Sequence, residues 1–306
     1  MLAKSLKPGA TIGIIAPSKP FAEEKQFELD GFVKYLKSKD ISVVTSNNFC
    51  SKPEEILGAV SAEKRAADIN SMFADESIDA IWCFQGGEPA NQTLDLIDYD
   101  LVKDNPKLFL GKSDIDVLLL ALNKITGLVT FHTCDTKIGS NKEMDFDYTK
   151  KWFEKRLFNR EQVIESSEEW VCVNEGQTEG KVVGCNLSSI LKLAGTKYFP
   201  DFTDAIFFIE TYKSDPNMVR VQLTQLKQIG ALEKVKGVVI GSNYEFQSES
   251  VKPEEVVKDF LSDYDLPILK TNEFGHYQPH AFLPIGSRVK VDATNKTIGI
   301  VETFLD

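Results

Sequence analysis

Apolar positions along the first half of the chain fall into two alternating patterns. Short, nearly continuous apolar runs occur at Thr11–Ala16, Ile41–Thr45, Ala80–Phe84, Leu108–Leu110 and Leu128–Phe131, as expected of strands covered on both faces. Between the first two, Leu29, Phe32, Val33 and Leu36 follow the i, i+3, i+4, i+7 spacing of an amphipathic helix; between the last two, Ile115, Leu118, Leu119 and Leu122 repeat it. Strands alternating with helices predict a doubly wound, mostly parallel sheet for an N-terminal α/β domain over residues 1–160. From Asn159 to Gln177 the chain turns polar and acidic, which predicts a linker over 161–177. Beyond it, strand signals at Lys181–Gly184, Ala205–Ile209, Gly237–Ile240, Pro267–Lys270, Arg288–Val291 and Thr297–Val301 predict a C-terminal, mixed, β-rich α/β domain over 178–306. Its principal helix is expected to run through Met218, Val221, Gln225 and Ile229.

The length of 306 residues accommodates two such domains, and 42% apolar residues suffice for ordinary cores. A net charge of −11 argues against a surface made for nucleic acid. The opening MLAKSLKPGATIGIIAPS has only a short apolar stretch broken by glycine, and no run of 18 apolar residues occurs, so the expectation is a cytoplasmic protein that does not engage a membrane. Cys50, Cys83, Cys134, Cys172 and Cys185 are odd in number and lack a CxxC spacing, which fits reduced, buried thiols.

Four places invite chemistry. Ser113 lies between the Leu108–Leu110 strand and the Ile115 helix, where a nucleophile elbow would expose a hydroxyl above helix N–H groups; Ser113 with Asp116 equally reads as a helix-capping box. Gly86-Gly87 follows a strand, where backbone amides can approach a ligand or form an ordinary turn, and no phosphate-loop motif accompanies it. Glu210 ends an apolar run, and His276 sits in a turn-rich stretch; only His132, His276 and His280 are available as a neutral-pH base, and Glu210 is a possible orienting acid. His276 and His280 are separated by Pro279, which disfavours a shared helical face for a metal. No cofactor is expected.

Taken together, the chain resembles the LD-carboxypeptidase family of serine peptidases, which includes the microcin C self-immunity proteins. The resemblance rests on Gly9–Ser18 (GATIGIIAPS), Lys64–Asp68 (KRAAD), Gly86-Gly87, Leu96–Asp100 (LIDYD) and Phe109–Asp114 (FLGKSD). It continues through Thr126–His132 (TGLVTFH), Gly184–Leu187 (GCNL), Leu223–Gly230 (LTQLKQIG), Phe274–His276 and Leu283–Gly286 (LPIG), and so runs nearly end to end. It implies a triad of Ser113 as nucleophile, His276 as base and Glu210 as orienting acid, with an oxyanion hole at the N–H groups of Asp114 and Gly87. It also implies a cleft between the domains, and a cytoplasmic, metal-free homodimer. The chain departs from the pattern at Lys112, where an aromatic residue is usual, at Glu88-Pro89-Ala90, and at Gly184-Cys185-Asn186.

The expected activity is therefore that of a serine carboxypeptidase acting next to a free carboxylate, on an L,D-amide of a muropeptide in cell-wall recycling. Gly86, Gly87 and Glu88 would line the substrate site and Lys112 would supply a cation for the carboxylate, unless it is a solvated surface lysine. The alternative substrate is an aspartamide-linked aminoacyl-nucleotide, for which Trp170 could stack a base or else simply pack. The rival class is a non-catalytic protein clasping a small ligand, with Ser113 only capping a helix.

Overall fold

The computed structural model describes residues 1–306 except Leu57 and Ser140. The first half forms β1 (Thr11–Ile15), α1 (Gln26–Lys37), β2 (Ser42–Thr45), α2 (Ala62–Ala74), β3 (Ala80–Cys83), α3 (Tyr99–Asp104), β4 (Leu108–Gly111), α4 (Asp116–Thr126), β5 (Thr130–His132) and α5 (Asp147–Leu157). The second half forms β6 (Val163–Ile164), β7 (Val171–Asn174), β8 (Gln177–Asn186), α6 (Leu187–Leu191), β9 (Ala205–Tyr212), α7 (Pro216–Gln228), β10 (Val235–Tyr244), α8 (Pro253–Phe260), β11 (Ile268–Lys270), β12 (Leu283–Ile285), β13 (Arg288–Asp292) and β14 (Thr297–Ile300).

The apolar runs become the strands of two sheets. The first has the order β12-β5-β4-β3-β1-β2, with β1 to β5 parallel and β12 antiparallel at the edge. Four residues of β3 and four of β4 are all buried, as a sheet covered on both faces requires. The second sheet has the order β6-β14-β13-β8-β9-β10-β11-β7, parallel from β8 to β11 and antiparallel on both flanks. The mixed α/β architecture expected of the second half is thus present, and α4, buried from Asp116 to Leu122, packs between the sheets against β5, β8 and α6.

Three expectations change. The 161–177 segment is not a bare tether: β6 and β7 within it close the two edges of the second sheet, and strands of two and four residues leave little periodic signal. The C-terminal stretch is not confined to the second sheet either, because Leu283–Ile285 returns to the first and pairs with β5. Pro284 is tolerated there because an edge strand need not donate on both sides. The helix α7 forms, with Pro216 in its first turn and Asp215 accepting from Met218 N, but its buried face is Val219, Gln222, Leu223 and Leu226. Met218, Val221 and Ile229 are about half exposed. Two apolar stripes share this helix, offset by one residue, and tertiary packing selects the one that periodicity did not. No helix among the described residues is long and apolar enough to cross a membrane.

This choice of face is measurable. Leu223→Ala is expected to cost about 2–5 kcal/mol in urea unfolding, as for other buried leucines, and Val221→Ala within about 0.5 kcal/mol of zero. Equal costs would mean that α7 presents the other stripe to the core.

Candidate active site

The strand β4 delivers the chain to a sharp turn. Lys112 is extended, and Ser113 then adopts φ of +65° before a 3-10 turn, Ser113–Ile115, leads into α4. A left-handed conformation at a non-glycine residue costs of the order of 1 kcal/mol or more and persists only where its surroundings impose it. Neither the 3-10 turn nor α4 has a side-chain cap, so the capping-box reading of Ser113 and Asp116 does not hold. Gly86 lies directly against this turn. A Cβ there would come within 2.7 Å of Ser113 Cβ, 3.0 Å of its Oγ and 3.3 Å of Asp114 N, so a side chain at Gly86 would occupy the space in front of the hydroxyl and the following amide.

The carboxylate of Asp114, 1% exposed, ties this turn to its neighbours. It accepts from Ser18 Oγ at 2.5 Å, Ala90 N at 2.7 Å and Lys192 Nζ at 2.6 Å. Lys192 also donates to Glu88 O at 2.9 Å, so α6 and its C-terminal end hold the Gly86–Ala90 loop from the other side. Arg65, fully buried, donates to Val60 O, Pro17 O, Pro89 O and Gln92 Oε1 at 2.6–2.9 Å and fixes the same loop from below.

The second sheet brings an acid and an imidazole. Glu210 is 0% exposed in β9, and its Oε2 is 2.7 Å from His276 Nδ1. Gly275, at φ of +117°, makes this approach possible: a Cβ would sit 2.4 Å from Ser242 Oγ and 3.1 Å from Glu210 Oε2. Ser242 Oγ accepts from Tyr277 N at 3.0 Å, and the Tyr212 ring packs on His276 at 4.7 Å while stacking on Tyr244 at 5.4 Å.

Ser113 and His276 line one cavity of about 450 Å³ together with Gly86, Asp135, Tyr212 and Gln278. A neighbouring cavity of about 800 Å³, bordered by Lys19, Asn91 and Gln92, shares Gly87, Glu88 and Tyr212 with it. No hydrogen bond joins Ser113 and His276 directly, and such contacts commonly tighten only around a substrate.

Other candidates are placed elsewhere. Lys112 lines the cavity but is only 5% exposed and pairs with buried Glu143, so it is neither a solvated surface lysine nor a free cation. Burial works to lower its pKa, but Glu143 and Asp135 outweigh that and hold it above its ordinary value. Asp135 shows the reverse balance: burial would raise it, and Lys137 and Lys112 hold it low. Trp170 is 3% exposed and donates to Glu273 Oε2 at 2.8 Å, so it packs in the second half rather than offering a face to a base. His132 and His280 are fully buried; burial and then Lys112 bring His280 down to about 4. All five cysteines are free, and burial pushes the Cys83 and Cys185 thiols well above their usual range. The side chains of Asp135, Lys142, Glu143, Lys192 and Tyr212 belong to no motif of the sequence, whereas Asp114 lies in FLGKSD, which points to its N–H rather than to its carboxylate.

The Lys112–Glu143 pair yields a stability test. Lys112→Met would leave Glu143 buried without its cation, which is expected to cost about 3–5 kcal/mol in urea unfolding. A cost below about 1 kcal/mol would mean that water reaches Glu143.

Residues 12–133 match the LD-carboxypeptidase N-terminal domain and residues 179–291 the LD-carboxypeptidase C-terminal domain. A probable murein peptide carboxypeptidase of Bacillus subtilis is 30% identical over 96% of this chain and 92% of its own. The microcin C7 self-immunity protein of Escherichia coli is 25% identical over 100% of this chain and 97% of its own. A solved structure of the microcin C7 self-immunity protein with aspartyl sulfamoyl adenosine superposes with a TM-score of 0.91 at 25% identity, covering both chains fully. The muramoyltetrapeptide carboxypeptidase of Oxalobacter formigenes has the same fold, with a TM-score of 0.81 at 24% identity over 94% of this chain and 97% of its own.

Proposed function

The chain belongs to the LD-carboxypeptidase family of peptidases, and from that premise we propose that it is a serine carboxypeptidase with Ser113, His276 and Glu210 as its triad. The observation that carries the reading is the pairing of two halves across one cavity. A serine at φ of +65°, with no side chain at the adjacent Gly86 to crowd its hydroxyl, faces the same space as an imidazole whose Nδ1 rests on a buried carboxylate.

On this reading His276 donates its Nδ1–H to Glu210 and keeps Nε2 free to accept. Ser113 Oγ attacks the amide carbonyl carbon as its proton passes to His276 Nε2. The oxyanion accepts from the N–H groups of Asp114 and Gly87, near the N-terminal end of α4, where the partial positive charge of the helix helps. Collapse breaks the C–N bond and His276 returns the proton to the leaving amine; a water then repeats the sequence on the acyl-enzyme. Glu210, fully buried, orients the imidazole and balances the charge that it gains.

The substrate we propose is a muropeptide with an L,D-amide beside a free carboxylate. Because Lys112 is committed to Glu143, the cation left for that carboxylate among the described residues of the cavity is Lys142, a third exposed and only loosely held by Glu28 at 3.6 Å. The Gly86-Gly87 amides would supplement it, and Glu88 borders the same space. The half-exposed Tyr212, stacked on Tyr244 at the cavity, favours a second reading: an aspartamide-linked aminoacyl-nucleotide whose base stacks there. Both substrates use the same scissile amide and triad. The reading also carries a homodimer acting in the cytoplasm without a metal.

A hydrolysis panel containing a muropeptide tetrapeptide and an aspartamide-linked nucleotide mimic tests this directly. Ser113→Ala is expected to keep its fold and lose at least about a thousandfold in kcat, and EDTA to have no effect. Full hydrolysis by a verified Ser113→Ala protein would end the triad reading, and activity lost to chelation and restored by zinc would make the protein a metallohydrolase. Lys142→Met is expected to lower kcat/KM about tenfold or more for a free-acid peptide and little for its C-terminal amide, as loss of one charge-assisted hydrogen bond implies. Equal effects would remove Lys142 from carboxylate recognition.

A further inference from the structure

Behind the Glu210–His276 pair lies a buried group of atoms to which nothing above gives a role. Asp116 opens α4, His132 ends β5 and Glu210 lies in β9, so the group sits where the two sheets and the intervening helix meet. One carboxylate oxygen of each acid and one ring nitrogen of His132 lie within 4.8 Å of one another, and all three residues are 0% exposed. Asp116 Oδ2 accepts from Asn186 N at 3.1 Å. Asp116 Oδ1, Glu210 Oε1 and both nitrogens of His132 have no hydrogen-bond partner, and Asp116 Oδ1 is 3.7 Å from His132 Nε2.

Buried polar atoms without partners, gathered from three side chains within 4.8 Å of one another, are costly unless something is shared among them. Two carboxylates at this separation, with no cation between them, cannot both ionise in a buried site. Glu210 already has His276 Nδ1 at 2.7 Å from its Oε2, whereas Asp116 has only the Asn186 amide. The groups facing Asp116 are Glu210 from β9, Asp114 from the preceding turn, Cys185 from β8 and His132 from β5. None is a cation, because burial first and then His280 and His276 push the His132 imidazole well below its usual range and leave it neutral. Burial, and then the charge of Glu210, push the Asp116 carboxyl well above its own.

We propose that Asp116 is a neutral carboxylic acid whose proton is hydrogen-bonded toward the free oxygen of Glu210, and that it is a positioning residue for the reaction. The acid leaves Glu210 the one charged carboxylate of the Asp116–Glu210 pair and pins it so that Oε2 stays on His276 Nδ1 as the imidazole gains and loses its proton. No bond to substrate is involved and the proton is not passed on. The role in catalysis rests on the triad reading, whereas the protonation state of Asp116 does not.

Infrared difference spectroscopy of the full chain at pH 7.5 reads that state without reference to activity. The expected result is a protonated-carboxyl C=O band in the wild type that is absent from Asp116→Asn. A folded wild type without such a band, or a band that survives in Asp116→Asn, would overturn the proposal. So would a divalent ion retained stoichiometrically in place of the proton, since the three side chains would then be metal ligands. Stability gives a second readout. An unfolded aspartate titrates near 3.9, so above that pH the native state holds one more proton than the unfolded chain and loses stability as pH rises. The advantage of Asp116→Asn over wild type in urea midpoint should therefore grow from pH 5 to pH 8; a constant difference contradicts the proposal. In kinetics, Asp116→Asn, which still donates, should keep kcat within about threefold and an unchanged pH profile, while Asp116→Val should lose about tenfold in kcat with little change in KM, the range expected for one hydrogen bond. Equal losses in both variants would make Asp116 a packing residue only. If Ser113→Ala remained active while the band behaved as expected, the triad reading would fail and the buried acid would stand.

Discussion

The carboxylate of Asp114 is the point on which the arrangement of the site depends. Its hydrogen bonds join three otherwise separate pieces of chain: the turn after β1 through Ser18, the loop after β3 through Ala90, and α6 of the second half through Lys192. The residue beside it in sequence is the one whose backbone is forced to positive φ. A strained turn survives only where neighbouring contacts leave it no relaxed alternative. Asp114 supplies those contacts, and Gly86 supplies the empty space in front of the hydroxyl. The position of Glu210 and His276 opposite this turn then follows from β8, which runs parallel to β9 and leads directly into α6, whose C-terminal end Lys192 anchors.

Charge is handled around the cavity in three different ways, each with a physical reason. Arg65 is buried with its guanidinium spread over three carbonyls and an amide, which keeps a full charge satisfied without a counter-ion. Lys112 is buried with Glu143 as a neutral pair, which removes it from solvent but leaves the cavity floor without a net field from that residue. Asp116 has no cation beside it, so for this residue losing the charge is less costly than keeping it. The cavity is therefore surrounded by many ionisable groups while few of them are free to meet a ligand.

Much of the fold was legible because a parallel sheet writes itself as short, continuous apolar runs, and Thr11–Ile15, Ala80–Cys83, Leu108–Gly111 and Ala205–Tyr212 all lie on such runs. The two-residue β6 and the three-residue, proline-containing β12 left no comparable trace, because strands this short span too few residues to show a pattern. On α7 the difficulty was ambiguity rather than weakness of signal. Val221 and Val219 belong to equally plausible stripes, and the buried one includes Gln222, whose amide reaches Ser188 Oγ at 2.9 Å. The candidate serine, acid and histidine could be singled out through the family resemblance, but the φ of Ser113 is a property of its surroundings and not of its residue type. The burial of Lys112, and with it the use of its charge, depends on Glu143 from 31 residues away, a separation that no local pattern reveals.

On the proposed mechanism Ser113 is a hydroxyl activated by the Glu210–His276 pair across a shared cavity. The most direct test is reaction of the intact protein with a fluorophosphonate probe followed by peptide mapping of the adduct. The expected result is a single modification on Ser113 that is lost in His276→Ala, in which the hydroxyl remains but its base is gone. Modification at another residue, or labelling of Ser113 that proceeds equally well without His276, would contradict it.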